Sequence, residues 1–349
     1  MNRKILILLG IHCILFIFMR KLAGFAFITI LCFSACKTDF SPNAPWKDIT
    51  IVYGLLSQND SIHYVKINKA YLGEGNALVM AQNPDSCTYG NNLTVRVEEW
   101  KNGNKSNSWP LDTTTIYNKE PGVFYYPKQV VYKFAAKLDS VDANVDYRLY
   151  IQNNKTGKVV SAHTGLVQKF DVLKPIPNSQ VNFTTPNLVP VEWNPAYYGK
   201  LYQLDILFTY SEKNTITGNS VVKTIDWNLG TQTTAGTSGT DNPLEIDFMG
   251  TSFYSFVAAN IPVSPNVVRS ATGYPLQYVY SAGADNLNTY IEVNAPSTSI
   301  VQDRPEFTNI TNGYGLFSAR YKLTQYHLMN SLSSDSLYSG SYTKNLNFQ

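Results

Sequence analysis

The chain has 349 residues, with 28 Lys+Arg against 25 Asp+Glu. Four of the basic residues and no acidic ones fall in positions 1–35, so beyond them 24 basic face 25 acidic residues and the net charge is near −1. A near-neutral body without a Lys/Arg cluster argues against a nucleic-acid partner, which requires a basic face.

The first 35 residues hold Arg3, Lys4, Arg20 and Lys21 and two apolar runs, 5–19 and 22–33. Neither run reaches the roughly 20 residues that span a bilayer. From Met19 onward the order is a short basic start, an apolar core of about 12 residues and small residues at the exit, the proportions of a secretory signal. Met19 is therefore the expected true start, and residues 1–35 the expected signal peptide. Phe33-Ser34-Ala35-Cys36 resembles the lipobox of bacterial lipoproteins, although Phe33 is bulkier than the Leu usual there. Small residues let a peptidase reach the backbone, and a thiolate is nucleophilic enough to take a diacylglyceryl group. Two acyl chains, at ~0.8 kcal/mol per buried methylene, anchor stably where one is marginal. Lipidation at Cys36 is expected, the alternative being an uncleaved anchor helix broken by charges. Cys13 and Cys32 leave with the leader, so Cys87 remains alone and no internal disulfide can form. Beside Asp85, Ser86 and Thr88, it reads as an incidental small residue.

Residues 36–47, with Pro42 and Pro45, read as a lipidated tether. The remaining length suggests two domains. Region 48–170 shows short β-branched and aromatic runs at 49–56, 62–71, 93–100, 130–136 and 147–152, spaced by Asn, Gly and Asp. Tyr132, Phe134 and Ala136 share one face and Lys133 the other. Asn102 and Gly103 supply a hairpin turn. The expectation is an immunoglobulin-like sandwich. Pro175 and Pro177 deny donors to a ladder and mark a domain boundary. Beyond it, 189–195 and 201–210 resemble the B and C strands of fibronectin type III domains. Trp193 is expected in that core, with Tyr202, Leu204, Ile206, Phe208 and Tyr210 on one face. Residues 221–229 continue the sheet, and Thr- and Gly-rich 230–242 reads as a flexible loop.

Two stretches of the second domain, 178–349, carry helical spacing. One aligns Phe253, Phe256, Val257 and Ile261, with Thr251 or Ser252 as its cap. The other, 285–294, follows a strand at 278–280 and aligns Leu287, Tyr290 and Ile291. The fold class expected is mainly β: an immunoglobulin-like sandwich, then a fibronectin type III-like sandwich with two short helices.

A catalytic constellation is not legible. His12 leaves with the leader, and His63, His163 and His327 are too scattered for a paired motif. The spacing of Gly236-Thr-Ser-Gly239 is wrong for a nucleophile elbow, and Gly313-Tyr-Gly315 lacks a third glycine and a βα context. Asp139, Asp142 and Asp146 lack the glycine and terminal Glu of a calcium loop, and read as a solvated turn. No metal or cofactor is expected.

One segment carries a resemblance. Pro305, Phe307-Thr-Asn309-Ile310 and Asn312-Gly313-Tyr314-Gly315-Leu-Phe317 resemble the C-terminal signature of Bacteroidota lipoproteins of unknown function, often encoded beside TonB-dependent outer-membrane receptors. The resemblance implies an outer membrane location and a β-barrel receptor as partner. It makes Asn309, Asn312, Gly313, Tyr314, Gly315 and Phe317 the candidate interface, with Tyr314 and Phe317 as aromatic anchors. As bare residues they also suit a structural corner, since Asn caps turns and Gly permits close-packed backbone. Asp39 is the sole acidic residue just after Cys36, so the membrane face stays open. The expected function is non-enzymatic and accessory to a receptor. The rivals are a glycan-binding surface lipoprotein, marked by several of Trp100, Trp109, Trp193 and Trp227 on one platform, and a hydrolase with an unrecognised site.

Overall fold

The computed structural model describes residues 48–70, 76–126, 128–138, 144–184, 188–271, 273–296 and 305–349. The leader, Cys36, the tether, Asp139 and Asp142 lie outside them. Residues Lys47–Gln349 form one compact unit.

In chain order, the first part has strands β1 (Thr50–Leu56) and β2 (Ile62–Lys69), and helices α1 (Ala77–Ala81) and α2 (Pro84–Cys87). Strands β3 (Leu93–Lys101), β4 (Asn104–Pro110), β5 (Asp112–Ile116), β6 (Gln129–Ala135), β7 (Val145–Asn153) and β8 (Val159–Thr164) follow. Their pairing gives the sheet orders β1-β2-β6-β5 and β4-β3-β7-β8. Lettered in sequence, these are A-B-E-D and C′-C-F-G, the connectivity of an immunoglobulin-type sandwich. Alternation makes the core: Val52, Val65, Val97, Tyr147 and Leu149 point inward and are fully buried. A bulge between Glu99 and Trp100 leaves both Glu98 and Glu99 buried. Burial pushes the Glu99 carboxyl up, yet donors from Ser106, Asn107 and Tyr147, with the Lys101 charge, hold it below its ordinary value.

The second part adds β9 (Val172–Lys174), β10 (Gln180–Val181), β11 (Leu188–Trp193), β12 (Leu201–Asn214), β13 (Ser220–Thr233) and β14 (Leu244–Met249). Then come α3 (Gly250–Asn260), β15 (Val267–Ser270), β16 (Leu276–Gly283), α4 (Asp285–Asn294), β17 (Gly313–Met329) and α5 (Ser331–Ser339). A sheet β14-β11-β9 faces β13-β12-β16-β17. Among the seven principal strands this is 5-2-1 over 4-3-6-7, a fibronectin type III-like sandwich. Trp193 is fully buried between the layers, 6.1 Å from the Tyr202 ring and 5.5 Å from the Tyr280 ring. Tyr202, Leu204, Ile206, Phe208 and Tyr210 are all buried beneath it, as their alternation requires.

The 17-residue β17 serves both sandwiches. Its first part, Gly313 to Ala319, runs parallel to β1, while Arg320 to His327 runs antiparallel to β16. Thr311 exchanges backbone hydrogen bonds with Ser161 of β8 at 2.7 and 3.2 Å. Thus β17 covers the side of the first sandwich between β1 and β8, and segments 48–170 and 178–349 share one ten-stranded sheet.

Three local expectations are corrected. Helix α3 begins at Gly250, with Met249 as a cap that makes no side-chain bond, because β14 runs straight into it and Gly250 abuts the Phe183 carbonyl. In α4 the buried side chain is Asn288, donating to Glu292, while Ile291 is exposed. The expected flexible loop at 230–242 is strand to Thr233 and then tied down. The Tyr198 N–H donates to Thr237 at 2.7 Å, Lys200 Nζ to Thr234 and Ala235, and the Gly236 N–H to Asp241.

Two histidines are built into the core. His63 and His327 are 1% and 0% exposed, each beside a backbone carbonyl, Ala136 at 3.1 Å and Ser179 at 3.3 Å. Burial lowers both pKa values below 6.5 by disfavouring the imidazolium, more than the carbonyls restore. Below about pH 6.5 the unfolded chain binds protons that the fold refuses, so stability falls as pH drops toward the folded-state values. Urea midpoints should therefore decline from pH 7 to pH 5, and His63→Phe with His327→Phe should flatten that slope. An unchanged slope in the double variant would contradict the assignment.

Candidate functional site

The outer face of β3, β7 and β8 concentrates charged and aromatic side chains. Register places Arg96 opposite Tyr150, Glu98 opposite Arg148 and Trp100 opposite Asp146, and on the next strand Arg148 opposite His163 and Tyr150 opposite Ser161. Residues two apart on a strand share a face, so these project together. The Arg148 guanidinium lies over the Trp100 ring at 4.2 Å, and its Nε donates to Asp146 at 2.8 Å. The other Asp146 oxygen is 3.2 Å from His163 Nδ1. Arg96 stacks on Tyr150 at 4.6 Å and donates to Glu98 at 2.8 Å. The Trp100 indole donates to the same Glu98 at 3.1 Å.

Electrostatics follow the contacts. Hydrogen bonding to Asp146 raises the Arg148 pKa. Burial pushes Glu98 up, but Arg96, Trp100 and Lys105 outweigh it and keep the carboxyl below its ordinary value. Asp146, Arg148, Tyr150, Ser161, Ala162, His163 and Thr311 line a shallow depression of about 270 Å³ beside the β8–Thr311 bridge. Half-exposed pairs such as Arg148–Asp146 contribute only ~0–1 kcal/mol each, so fold stability is a weak reason for the cluster. Chemically, the depression offers a guanidinium, an imidazole and hydroxyls to a small polar ligand. The Asp146–His163 contact is open to solvent, and no hydrogen bond joins Ser161 Oγ to His163.

The residues of the candidate interface divide between surface and core. Asn309 sits opposite Phe317 and closes the strand like a backbone: its Nδ2 donates to the Phe317 carbonyl at 2.6 Å, and the Phe317 N–H donates to its Oδ1 at 2.9 Å. Asn312, at φ +61°, donates to the Val159 carbonyl at 3.0 Å. Gly313 and Gly315 let β17 approach β1, since a Cβ there would meet the Thr50 oxygen at 2.8 Å and the Val52 oxygen at 2.0 Å. Phe317 is fully buried, so it cannot act as the surface anchor expected of it: strand parity turns it away from Tyr314 and into the core. Tyr314 is 49% exposed. Asn312 is also on the surface.

Cys87 ends α2, half-buried. Asp146 belongs to the depression, and among the described residues no group of three or more His, Cys, Asp or Glu could hold a metal ion. Trp100, Trp109, Trp193 and Trp227 form no common platform. Trp193 is in the second core, Trp109 stacks on Phe134 and Tyr147, Trp227 packs on Phe248 and Phe256, and Trp100 lies under Arg148. The depression was missed from sequence. Its local signal is the alternation Asp146-x-Arg148-x-Tyr150 and Ser161-x-His163, which has no meaning until β3, β7, β8 and Thr311 are brought together.

No family model matches the chain, and no curated protein matches it. A solved structure, the C-terminal globular domain of oligosaccharyltransferase from Pyrococcus abyssi, is 12% identical with a TM-score of 0.26. That match covers 69% of this chain and 50% of that one. The chain thus spans half the length of that structure, and a likeness at this level carries no functional argument.

Proposed function

We propose that the chain is a non-enzymatic lipoprotein of the outer membrane or cell surface, accessory to a TonB-dependent β-barrel receptor. The observation that carries this reading is the leader: a basic start, an apolar core and small residues ending at Cys36. Among the described residues no helix is long and apolar enough to cross a membrane. A lipid on Cys36 would supply the anchor.

The partner contact is placed on the outer face shared by β17, β1 and β2. Tyr314, Tyr53 and Tyr64 are 49%, 43% and 46% exposed there, and Tyr290 of α4 donates its hydroxyl to Tyr53 at 3.2 Å. Burial and the Tyr290 hydrogen bond push the Tyr53 phenol up to about 12, so that hydroxyl stays protonated at neutral pH. Tyrosines bring large contact area with few rotatable bonds.

Gentle detergent extraction followed by pull-down through the chain should recover a β-barrel receptor. Tyr53→Ala with Tyr314→Ala should lose it while leaving the fold intact. Recovery of no membrane partner would overturn this reading, whether or not the chain binds a glycan.

A further inference from the structure

We propose that the depression on β7 and β8 binds a carboxylate-bearing sugar. Asp146 holds the Arg148 Nε at 2.8 Å and the Trp100 ring supports the flat face of the guanidinium at 4.2 Å. An arginine fixed in this way presents a pre-oriented fork, the geometry that matches a planar carboxylate. The same Asp146 contacts His163 Nδ1 at 3.2 Å, which assigns the proton of the neutral ring to Nδ1 and leaves Nε2 as an acceptor. His163 is 76% exposed on its side chain, so Nε2 is open to a ligand hydroxyl.

Ser161 and Thr311 line the same depression and carry hydroxyls that donate or accept. The charge balance narrows the ligand further. Arg148 and Asp146 offset each other, so a monoanion is accommodated more readily than a doubly charged phosphate. One carboxylate beside several hydroxyls describes an acidic sugar. Tyr150, its ring stacked under Arg96, lines the same wall, and its side chain hydrogen-bonds Arg148 and helps to orient it. The site depends on neither the lipid anchor nor a receptor, so it stands or falls independently of the proposed function.

The test is titration of the full chain in detergent micelles with three probes: galacturonic acid oligomers, neutral galactose oligomers and inorganic phosphate. The acidic oligomer should bind at least about tenfold more tightly than the neutral one, with shifts in the His163 imidazole and Arg148 Nε resonances. Arg148→Lys keeps the charge but removes the fork, and should weaken binding about tenfold or more without altering the melting temperature. Ser161→Ala should weaken it less. Equal affinity for acidic and neutral oligomers, binding unchanged in Arg148→Lys, or no binding by the acidic oligomer would each overturn the proposal. Phosphate competing as strongly as the acidic oligomer would reduce the site to a general oxyanion site and overturn the sugar assignment.

Discussion

Gly315→Val should destabilise the protein by about 3 kcal/mol or more and lower its melting temperature by on the order of 10 °C. Gly315 has φ +109°, a conformation that residues with a Cβ rarely adopt, and any Cβ there would sit 2.0 Å from the Val52 oxygen. The clash falls in the middle of the parallel ladder that joins Thr50–Leu56 to β17, so the strand cannot step aside without releasing β1. Gly273→Val separates the two causes. Gly273 has φ +72° but nothing within 4 Å of its Cβ position, so it carries conformational strain alone and should cost only ~1 kcal/mol. Similar small losses at both positions, read by thermal melting, would mean that the β1–β17 contact is looser than described.

Arg269→Ala should cost about 3–5 kcal/mol and free the C-terminal segment. Arg269 is 1% exposed and makes an unusually full set of contacts. It donates to Glu212 through Nε at 3.0 Å and Nη2 at 2.8 Å, to the Leu346 carbonyl at 2.6 Å and to the Pro262 carbonyl at 2.9 Å. Its backbone accepts from Gln349 and donates to Asn347, both at 2.9 Å, so the last residues lie against β15. Hydrogen bonding from Lys223 at 2.7 Å, outweighing burial and joined by Arg269, holds the Glu212 carboxyl below its usual range. Removing the guanidinium takes the donor from the Leu346 and Pro262 carbonyls and leaves Glu212 with Lys223 alone, and desolvation turns the lost bonds into a cost. Replacing both charges, with Arg269→Met and Glu212→Leu, should recover part of the loss. Carboxypeptidase should trim the single variant faster than the parent; equal trimming with an unchanged melting temperature would contradict the clamp.

The parts of this fold that were legible in the sequence are those where one strand declares its own faces. Tyr202 to Tyr210 alternates cleanly, and Trp193 on the preceding strand demanded a core, so the second sandwich was readable. Strand β4 was not, because Asn104–Pro110 lies on a sheet edge, exposed along most of its length, and has little apolar alternation to show. Strand β17 was hidden for the opposite reason. Residues 315–319 are buried on both faces, between neighbours from two sandwiches, so no period of two survives there. The Asn-Gly-rich corner before it invited a surface reading of Phe317, whereas the glycines bring backbone against backbone and parity sends that ring inward. The depression was less legible still. Asp146, Arg148 and His163 are ordinary strand polar residues until registers across three strands align them, and register is set by pairing over long sequence separations.

The reading as a lipid-anchored body rests on Cys36 more than on any other residue. Its most direct test is metabolic labelling with a fatty acid, comparing the parent chain with Cys36→Ala. The parent should incorporate label and migrate as a processed form whose N-terminus is the modified Cys36, and the variant should remain an unlabelled, uncleaved precursor. Equal labelling of the two, or a parent that carries no label, would contradict the account.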